Sequence, residues 1–372
     1  MKRVREFMGK SERQTKIQEL EKALEAKVIC FVTSDRPNIE PAASFMSRDC
    51  LKMLERHLPI GEQYDTLALF LVSHGGDVDV PWPLVNLLRA QCKKLQVAIP
   101  YHCHSAATQF AIGCDEIIAG PRATLSPTDP TMNFRTGPDE SSPVMQVGVE
   151  DVNAFVEFVK NTLNKEFASH GHEALNKLMD RVKPEQLGSI NRTYLRSKLL
   201  IAKMLGLTSK KYSKEERDKV ESHLTTAYCA HAHFISRNEM IEDLALPVVP
   251  AEKLGIDSLM WSLYEDYAAE FNSREPYDMQ RELHSATQNP TSVRLVGKYI
   301  ESTSRTDKYV QTLTLQGAGL PNINFTIPVL NPPVDPAVFQ QLIQHLMTEL
   351  NNQLRPFLVA KKIASFGEWQ TE

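Results

Sequence analysis

The sequence has little cysteine, with six residues in 372 and no Cys-x-x-Cys pair. This spacing is unlike a disulfide scaffold or a zinc motif, so we expect reduced thiols, no metal and no other cofactor. Long apolar runs are also missing, because no uninterrupted stretch approaches the ~18 residues that span a bilayer. A charged stretch follows the basic N-terminus where a secretion signal would be apolar. We therefore expect a soluble, cytoplasmic protein with no membrane partner.

Neither sign of charge dominates. Lys and Arg number 42 against 46 Asp and Glu, which gives a formal net charge of −4. This balance argues against nucleic acid as a partner, since binding phosphates calls for a clear excess of positive charge. The 372 residues suffice for one large domain with additions, or for two domains.

Short apolar runs alternate with helical patterns in the first third of the chain. Strands are predicted over residues 28–33, 66–73, 95–100 and 116–120. Helices are predicted over residues 13–27, 43–58, 81–94 and 105–114. Strands separated by helices of this length are typical of βαβ units with a parallel, buried sheet. Residues 28–135 therefore predict an α/β core.

The rest of the chain divides by composition. Residues 1–27 are assigned to an N-terminal helix, and residues 136–148, rich in Gly, Pro, Ser and acids, to a loop. From 149 to 275 the pattern is helical and predicts a layer over the sheet. Residues 290–372 contain β-rich segments and an amphipathic helix at 335–355, which predicts a small C-terminal α+β extension.

Two motifs at strand ends could carry chemistry. Ser-His-Gly-Gly-Asp at 73–77 follows the strongest strand, and its glycines would let backbone N–H groups approach a ligand. Tyr-His-Cys-His-Ser-Ala-Ala-Thr at 101–108 follows the next strand and places Ser105 at a helix start, where the following amide could donate to an oxyanion. The structural alternatives are a plain tight turn for the first motif and an N-cap role for Ser105.

Taken together, residues 66–130 resemble the serine dehydrogenase proteinase family of the Clp and crotonase superfamily, which is similar to signal peptide peptidase A. The matching positions are Gly75, Gly76, Ser105 with Ala106, Ala107 and Thr108, then Asp115, Glu116, Ile117, Leu125, Pro127, Asp129 and Pro130. Ser126 departs from the usual glycine. A weaker likeness covers 224–249, where Ala245 stands in place of a glycine.

The resemblance implies a Clp/crotonase-like ββα superhelix core within a protease domain of residues 28–275. It implies an acyl-transfer serine peptidase with Ser105 as nucleophile. The oxyanion would be held by backbone N–H groups of Gly76 and Ala106, with Gly75 as a further candidate. Self-assembly into a homo-oligomer and a peptide or protein substrate are implied as well.

The general base is left open. Clp-type peptidases place a histidine about where Asp129 stands here, so that triad is not expected. Relatives of signal peptide peptidase A use a lysine, whose pKa burial can lower. Lys160 is the first candidate, on a helix with apolar neighbours, and Lys165 and Lys198 follow. A solvated surface lysine is the plain alternative for Lys160.

The histidines have structural alternatives too. His74 could line the oxyanion turn, whereas packing or pocket roles are expected for His102 and His104. For His231 and His233 we expect a structural hydrogen bond. Two other functions stay open: an inactive Clp-like scaffold that binds a peptide or nucleotide, and a crotonase-like acyl-CoA enzyme.

Overall fold

The computed structural model describes residues 9–128, 131–135, 144–163, 183–228, 233–286, 289–318, 335–354 and 358–372, together with positions 173, 176, 177 and 179. Across these residues, no helix is both long enough and apolar enough to cross a bilayer. Several positions singled out in the sequence lie outside them: Asp129, Pro130, Lys165, His231 and residues 319–334 of the β-rich C-terminal segment.

The described strands form one large sheet and two small ones. In chain order they are β1 (Lys27–Thr33), β2 (Tyr64–Val72), β3 (Cys92–Ile99), β4 (Glu116–Ala119), β5 (Thr124–Leu125), β6 (Thr131–Arg135), β7 (Val144–Gly148), β8 (Ile235–Ser236), β9 (Val248–Pro250), β10 (Thr291–Glu301), β11 (Thr306–Ala318) and β12 (Val359–Thr371). The large sheet has the order β12-β11-β10-β1-β2-β3-β4-β9. Strands β1, β2, β3, β4 and β9 run parallel, whereas β10, β11 and β12 are joined antiparallel.

The structure describes twelve helices, and some of them cover the two faces of the parallel part. They are α1 (Lys10–Leu24), α2 (Pro41–Ser44), α3 (Asp49–Glu55), α4 (Pro81–Arg89), α5 (Ala106–Ala111), α6 (Val149–Leu163), α7 (Pro184–Leu207), α8 (Lys214–Ser222), α9 (Arg237–Glu242), α10 (Asp257–Glu270), α11 (Met279–Ser285) and α12 (Pro336–Leu354). A π-helical turn follows α8 and a 3-10 turn precedes α10. The predicted α/β fold class is confirmed.

Strand β2 explains why the core strands have continuous apolar runs. Leu67, Leu69 and Leu71 pack on the face covered by α3, α4, α5 and α7. Ala68 and Phe70, which alternate with them, pack on the opposite face against α1 and α10. Both faces of the strand are therefore buried, so the side chains on each face are apolar.

A second, shorter pairing follows each of the central parallel strands. Beyond β2, Ser73 bridges Cys103, and beyond β3, His102 bridges Thr124. Strand β5 then pairs with β8. The repeating unit is thus strand, short strand and helix, in agreement with the expected ββα architecture, and it gathers residues 73–76, 101–106 and 124–126 at the carboxyl edge of the sheet.

The structure differs from the sequence predictions in two of the segments flanking the core. The helix expected over 43–58 is interrupted, because Met46 leaves the helical path to bridge Gly76. Part of the expected 136–148 loop is strand β7, which pairs with β6.

The C-terminal segment is joined to the core through its strands. Strand β10 pairs with β1, so β10, β11 and β12 continue the central sheet. The predicted helix at 335–355 is present as α12, but strand β12, an edge strand with mostly exposed side chains, was not anticipated.

Candidate active site

Ser105 lies where the chain passes from β3 into α5, in an unusual backbone conformation. Its φ is 52° and its ψ is −117°, a region that residues with a side chain rarely adopt. Its side chain makes no capping hydrogen bond to α5, so the N-cap role is not realised. The side chain is partly exposed. The strained backbone therefore holds a hydroxyl at the sheet edge that the helix does not use.

Gly75 packs directly against this serine. A Cβ at Gly75 would lie 2.8 Å from Ser105 Cβ, 2.9 Å from Ala106 N and 2.7 Å from His104 O, closer than real Cβ contacts. Its φ of 94° also favours glycine. The two predicted motifs therefore meet, and the first glycine is needed because nothing larger fits.

The Gly-Gly turn leaves one amide directed away from its neighbours. Met46 N–H donates to Gly75 O and Asp77 N–H donates to Met46 O, both at 2.9 Å. In such a parallel bridge the central residue, Gly76, turns its own N–H to the other side. Among the described residues, neither Gly76 N–H nor Ala106 N–H donates to an acceptor. These two groups have the character of oxyanion donors.

The Gly75 N–H, the further candidate for an oxyanion donor, already has an acceptor. It donates to Ser73 Oγ at 3.0 Å. Ser73 Oγ in turn lies 3.2 Å from Thr33 Oγ1 at the end of β1. Gly75 thus supplies space for Ser105, while Ser73 fixes the turn to the sheet.

Ser126, the departure from the family pattern, has a definite contact. Its Oγ accepts the Ser105 N–H at 2.8 Å and donates to Pro127 O at 3.0 Å. The Ser126 N–H donates to Thr108 Oγ1 at 3.1 Å. This hydroxyl therefore anchors the backbone of Ser105.

The two lysine candidates that the structure describes lie in ion pairs. Lys160 is 59% exposed and lies 3.5 Å from Glu157 on the same helix. Lys198 lies 3.1 Å from Glu221. Burial acts to lower the pKa of Lys198, but hydrogen bonds to Tyr194 and Glu221 outweigh it and raise that pKa. In the part of the chain that the structure describes, Ser105 Oγ has no hydrogen-bond partner, and Lys160 as its base stays a prediction.

A serine–lysine pair that the sequence did not point to lies elsewhere. Lys298 Nζ donates to Ser47 Oγ at 2.7 Å, and Lys298 is 1% exposed. The ammonium lies 4.3 Å from the centre of the Tyr309 ring and helps to lower the pKa of Asp49, which burial alone would raise. The lysine is held between a serine hydroxyl and the face of an aromatic ring, so we interpret this pair as a structural contact.

Three histidines cluster beside Ser105. The rings of His74 and His102 stack with centroids 3.9 Å apart, and each lies 5.5 Å from the His104 ring. His104 Nε2 lies 2.9 Å from Thr124 Oγ1. Phe234, 63% exposed, stacks on His104 with centroids 5.2 Å apart. The ends of two strands therefore bring three imidazoles and an exposed phenyl ring into one cluster.

The electrostatics of this cluster favour neutral rings. Burial, and then the neighbouring imidazoles, lower the pKa of His102 well below its usual value. Burial also lowers the pKa of His74, although Asp35 acts in the opposite direction. Within the described residues, no group of three His, Cys, Asp or Glu side chains could hold a metal ion.

His233, the other described histidine singled out in the sequence, has a structural contact. Its Nε2 lies 3.1 Å from Glu239 Oε1, and its ring stacks on Tyr228 with centroids 3.9 Å apart. This is the structural hydrogen bond expected for this segment.

Comparison with known proteins adds little. No protein-family model and no curated protein matches the chain. Among solved structures, ClpP1 from Listeria monocytogenes aligns with a TM-score of 0.32 and 12% identity, over 63% of this chain and 95% of that chain. A mutant of that protein aligns with a TM-score of 0.33 and 11% identity, over 64% and 97%. A mutant of the membrane-bound stomatin-specific protease 1510-N aligns with a TM-score of 0.23 and 16% identity, over 32% and 59%. The fold is established by the sheet order and by the repeating strand, short strand and helix.

Proposed function

We propose that the chain is a serine hydrolase that cleaves peptide bonds through an acyl-enzyme on Ser105. The observation that carries this proposal is the backbone of Ser105, with φ 52° and a side chain unused as a helix cap. Strain of this kind is retained where the surrounding structure enforces it, and it is concentrated at functional sites. Gly75 and Ser126 enforce it here, through packing and through the hydrogen bond to the Ser105 N–H.

The chemistry would proceed in two halves. Ser105 Oγ attacks the substrate carbonyl carbon while its proton passes to a base, and the carbonyl π electrons move to the oxygen. The N–H groups of Gly76 and Ala106 donate to that oxyanion. The C–N bond then breaks, the amine leaves with the proton, and water releases the acyl group by the same steps.

The peptide substrate is the part of the proposal that rests on the sequence. It follows from the resemblance of residues 66–130 to the serine dehydrogenase proteinase family. Cytoplasmic location and assembly into a homo-oligomer belong to the same proposal. The exposed Phe234 and Tyr101 rings support an apolar contact for the substrate next to Ser105.

A fluorophosphonate probe tests the nucleophile. We expect a single adduct on Ser105, found by peptide mass spectrometry, and none in Ser105→Ala. Ser47→Ala is the matched control, because Ser47 Oγ is a serine hydroxyl that accepts a hydrogen bond from a lysine, Lys298. A folded wild-type protein that takes up no probe, or a probe that modifies Ser47, would contradict the proposal.

One observation favours a second candidate, a scaffold that binds a peptide without cleaving it. Among described residues, no group hydrogen-bonds Ser105 Oγ, as a resting base would. A scaffold would bind peptides with equal affinity in the wild type and in Ser105→Ala and would show no adduct. The same protein preparations therefore separate the two functions.

A further inference from the structure

Helix α12 has an apolar stripe that faces solvent. Val338, Leu342 and Leu346 form this stripe and are 55%, 46% and 54% exposed. Residues four positions apart lie on one face of a helix, one turn above another. The three side chains therefore make a row about 12 Å long. A contiguous row of exposed apolar side chains marks an interaction site, whereas scattered single ones do not.

The rest of α12 is almost free of charge. Its 19 residues include one charged side chain, Glu349, although charged residues make up 24% of the chain. Most of its other polar side chains are glutamine and asparagine, which are neutral. A helix that faces only solvent normally carries charges there, whereas the core of a protein interface is depleted of them. The composition of α12 therefore fits a helix that another protein surface covers.

We propose that α12 is a self-association surface, on which α12 of a second copy of this chain packs. This inference rests on the assembly part of the proposed function, to which it gives a surface, and it is independent of the chemistry at Ser105.

The charge distribution favours a second copy over a different partner. The chain carries a formal net charge of −4, so two copies repel each other over most of their surface. With one carboxylate and no lysine or arginine, α12 adds little to that repulsion. A strongly charged partner would find almost no opposite charge on this helix to pair with. A neutral helix of the same composition is a better match.

The spacing of the stripe is also self-complementary. In a twofold dimer the same patch of each copy meets itself, so every contact occurs twice. Val338, Leu342 and Leu346 keep their four-residue spacing when the helix is read in reverse. Two antiparallel copies of α12 therefore bring aliphatic side chains together along the whole row. At the usual separation of about 8–10 Å between packed helices, these side chains exclude water from it.

The mass of the full chain in solution, measured by light scattering and sedimentation velocity, tests the proposal. One chain has a mass of 42.0 kDa. We expect the wild type to have at least twice this mass and Leu342→Glu to lower its mass about twofold, because the new carboxylate would be buried against an apolar row without a partner. Leu346→Glu should have the same effect. Both positions are about half exposed in the single chain, so the fold should be kept, and circular dichroism and urea unfolding check this.

Gln344→Glu is the matched control. It adds the same charge to the same helix, but at a position about 200° around the helix axis from Leu342. We expect it to keep the wild-type mass. Salt supplies a second measurement, because association through an uncharged row should persist at ~0.5 M NaCl, where ionic contacts are screened.

The outcomes separate the inference from the proposals it builds on. If folded Leu342→Glu and Leu346→Glu keep the wild-type mass, or if Gln344→Glu or salt dissociates the protein equally well, the inference is wrong and assembly through another surface stands. A monomeric wild type would refute both the inference and the proposed assembly. The fluorophosphonate adduct on Ser105 is measured independently, so a failure of the proposed chemistry is seen separately.

Discussion

Replacing Gly75 by alanine is the sharpest test of the contact that builds the site. The new Cβ would meet His104 O at 2.7 Å, Ser105 Cβ at 2.8 Å and Ala106 N at 2.9 Å. A left-handed backbone costs a residue with a side chain about 1–2 kcal/mol. Overpacking in a rigid site adds about 1–3 kcal/mol, because two of the three atoms met are backbone. We therefore expect Gly75→Ala to lower the free energy of unfolding by about 2–5 kcal/mol.

Gly61 offers a matched control for the backbone part of this cost. Its φ is 86°, and a Cβ there would meet nothing within 4 Å. Gly61→Ala should therefore lose only about 1–2 kcal/mol. Urea unfolding of the two variants measures the difference, and probe labelling should fall only in Gly75→Ala. Equal losses of stability together with unchanged labelling of Ser105 would refute the close contact.

Three further predictions concern the surroundings of the site. Ser126→Gly removes the acceptor of the Ser105 N–H, worth about 1 kcal/mol, and should slow fluorophosphonate labelling about tenfold; an unchanged rate would contradict the anchoring role. His57 is buried between Ser302 and Asp307, and burial lowers its pKa to about 4. Between pH 6.5, the ordinary pKa of histidine, and about pH 4, His57 binds a proton in the unfolded chain but not in the folded one. The free energy of unfolding should therefore fall as the pH falls across this window, by roughly 3 kcal/mol. Urea unfolding at pH 7.5 and pH 5 should show about 2 kcal/mol of this loss, and a slope that persists in His57→Asn would point to other groups. Lys298→Met removes a hydrogen bond and a ring contact and should cost about 2–3 kcal/mol, whereas Lys93→Met, at an 81% exposed position, should cost almost nothing in the same assay.

Local periodicity predicted the parallel part of the sheet well. The runs at 28–33, 66–73, 95–100 and 116–120 all became strands, because both faces of each strand are buried and the sequence must be apolar throughout. Strand β12 was not predictable in this way. It is an exposed edge strand, and its β character comes from pairing with β11 along its whole length.

The two halves of the candidate site were predictable from their motifs, but the details that decide their chemistry were not. Spacing pointed to Gly75, Gly76, Ser105 and Ala106, since glycines and a serine after buried strands have a chemical meaning. Ser73 accepts the Gly75 N–H, and Met46 pairs with the backbone on both sides of Gly76. These contacts decide which amide of the turn is left to bind an oxyanion, and the pairing with Met46 joins segments that are distant in the chain. The stacked histidines likewise depend on the ends of two strands meeting, which no local pattern records.

The C-terminal strands are part of the support of the site. Lys298, on β10, binds Ser47, and the neighbouring Met46 exchanges backbone hydrogen bonds with the Gly-Gly turn. Gly297 makes this approach possible, because a Cβ there would lie 2.1 Å from Ala43 O. Trp369, on the edge strand β12, donates to Asp49 at 2.5 Å. Asp49 lies two residues after Ser47, so β12 is joined to the same segment. A continuous path of contacts therefore joins β12 to Gly76, and the geometry of the oxyanion turn depends on residues nearly 300 positions away in the chain.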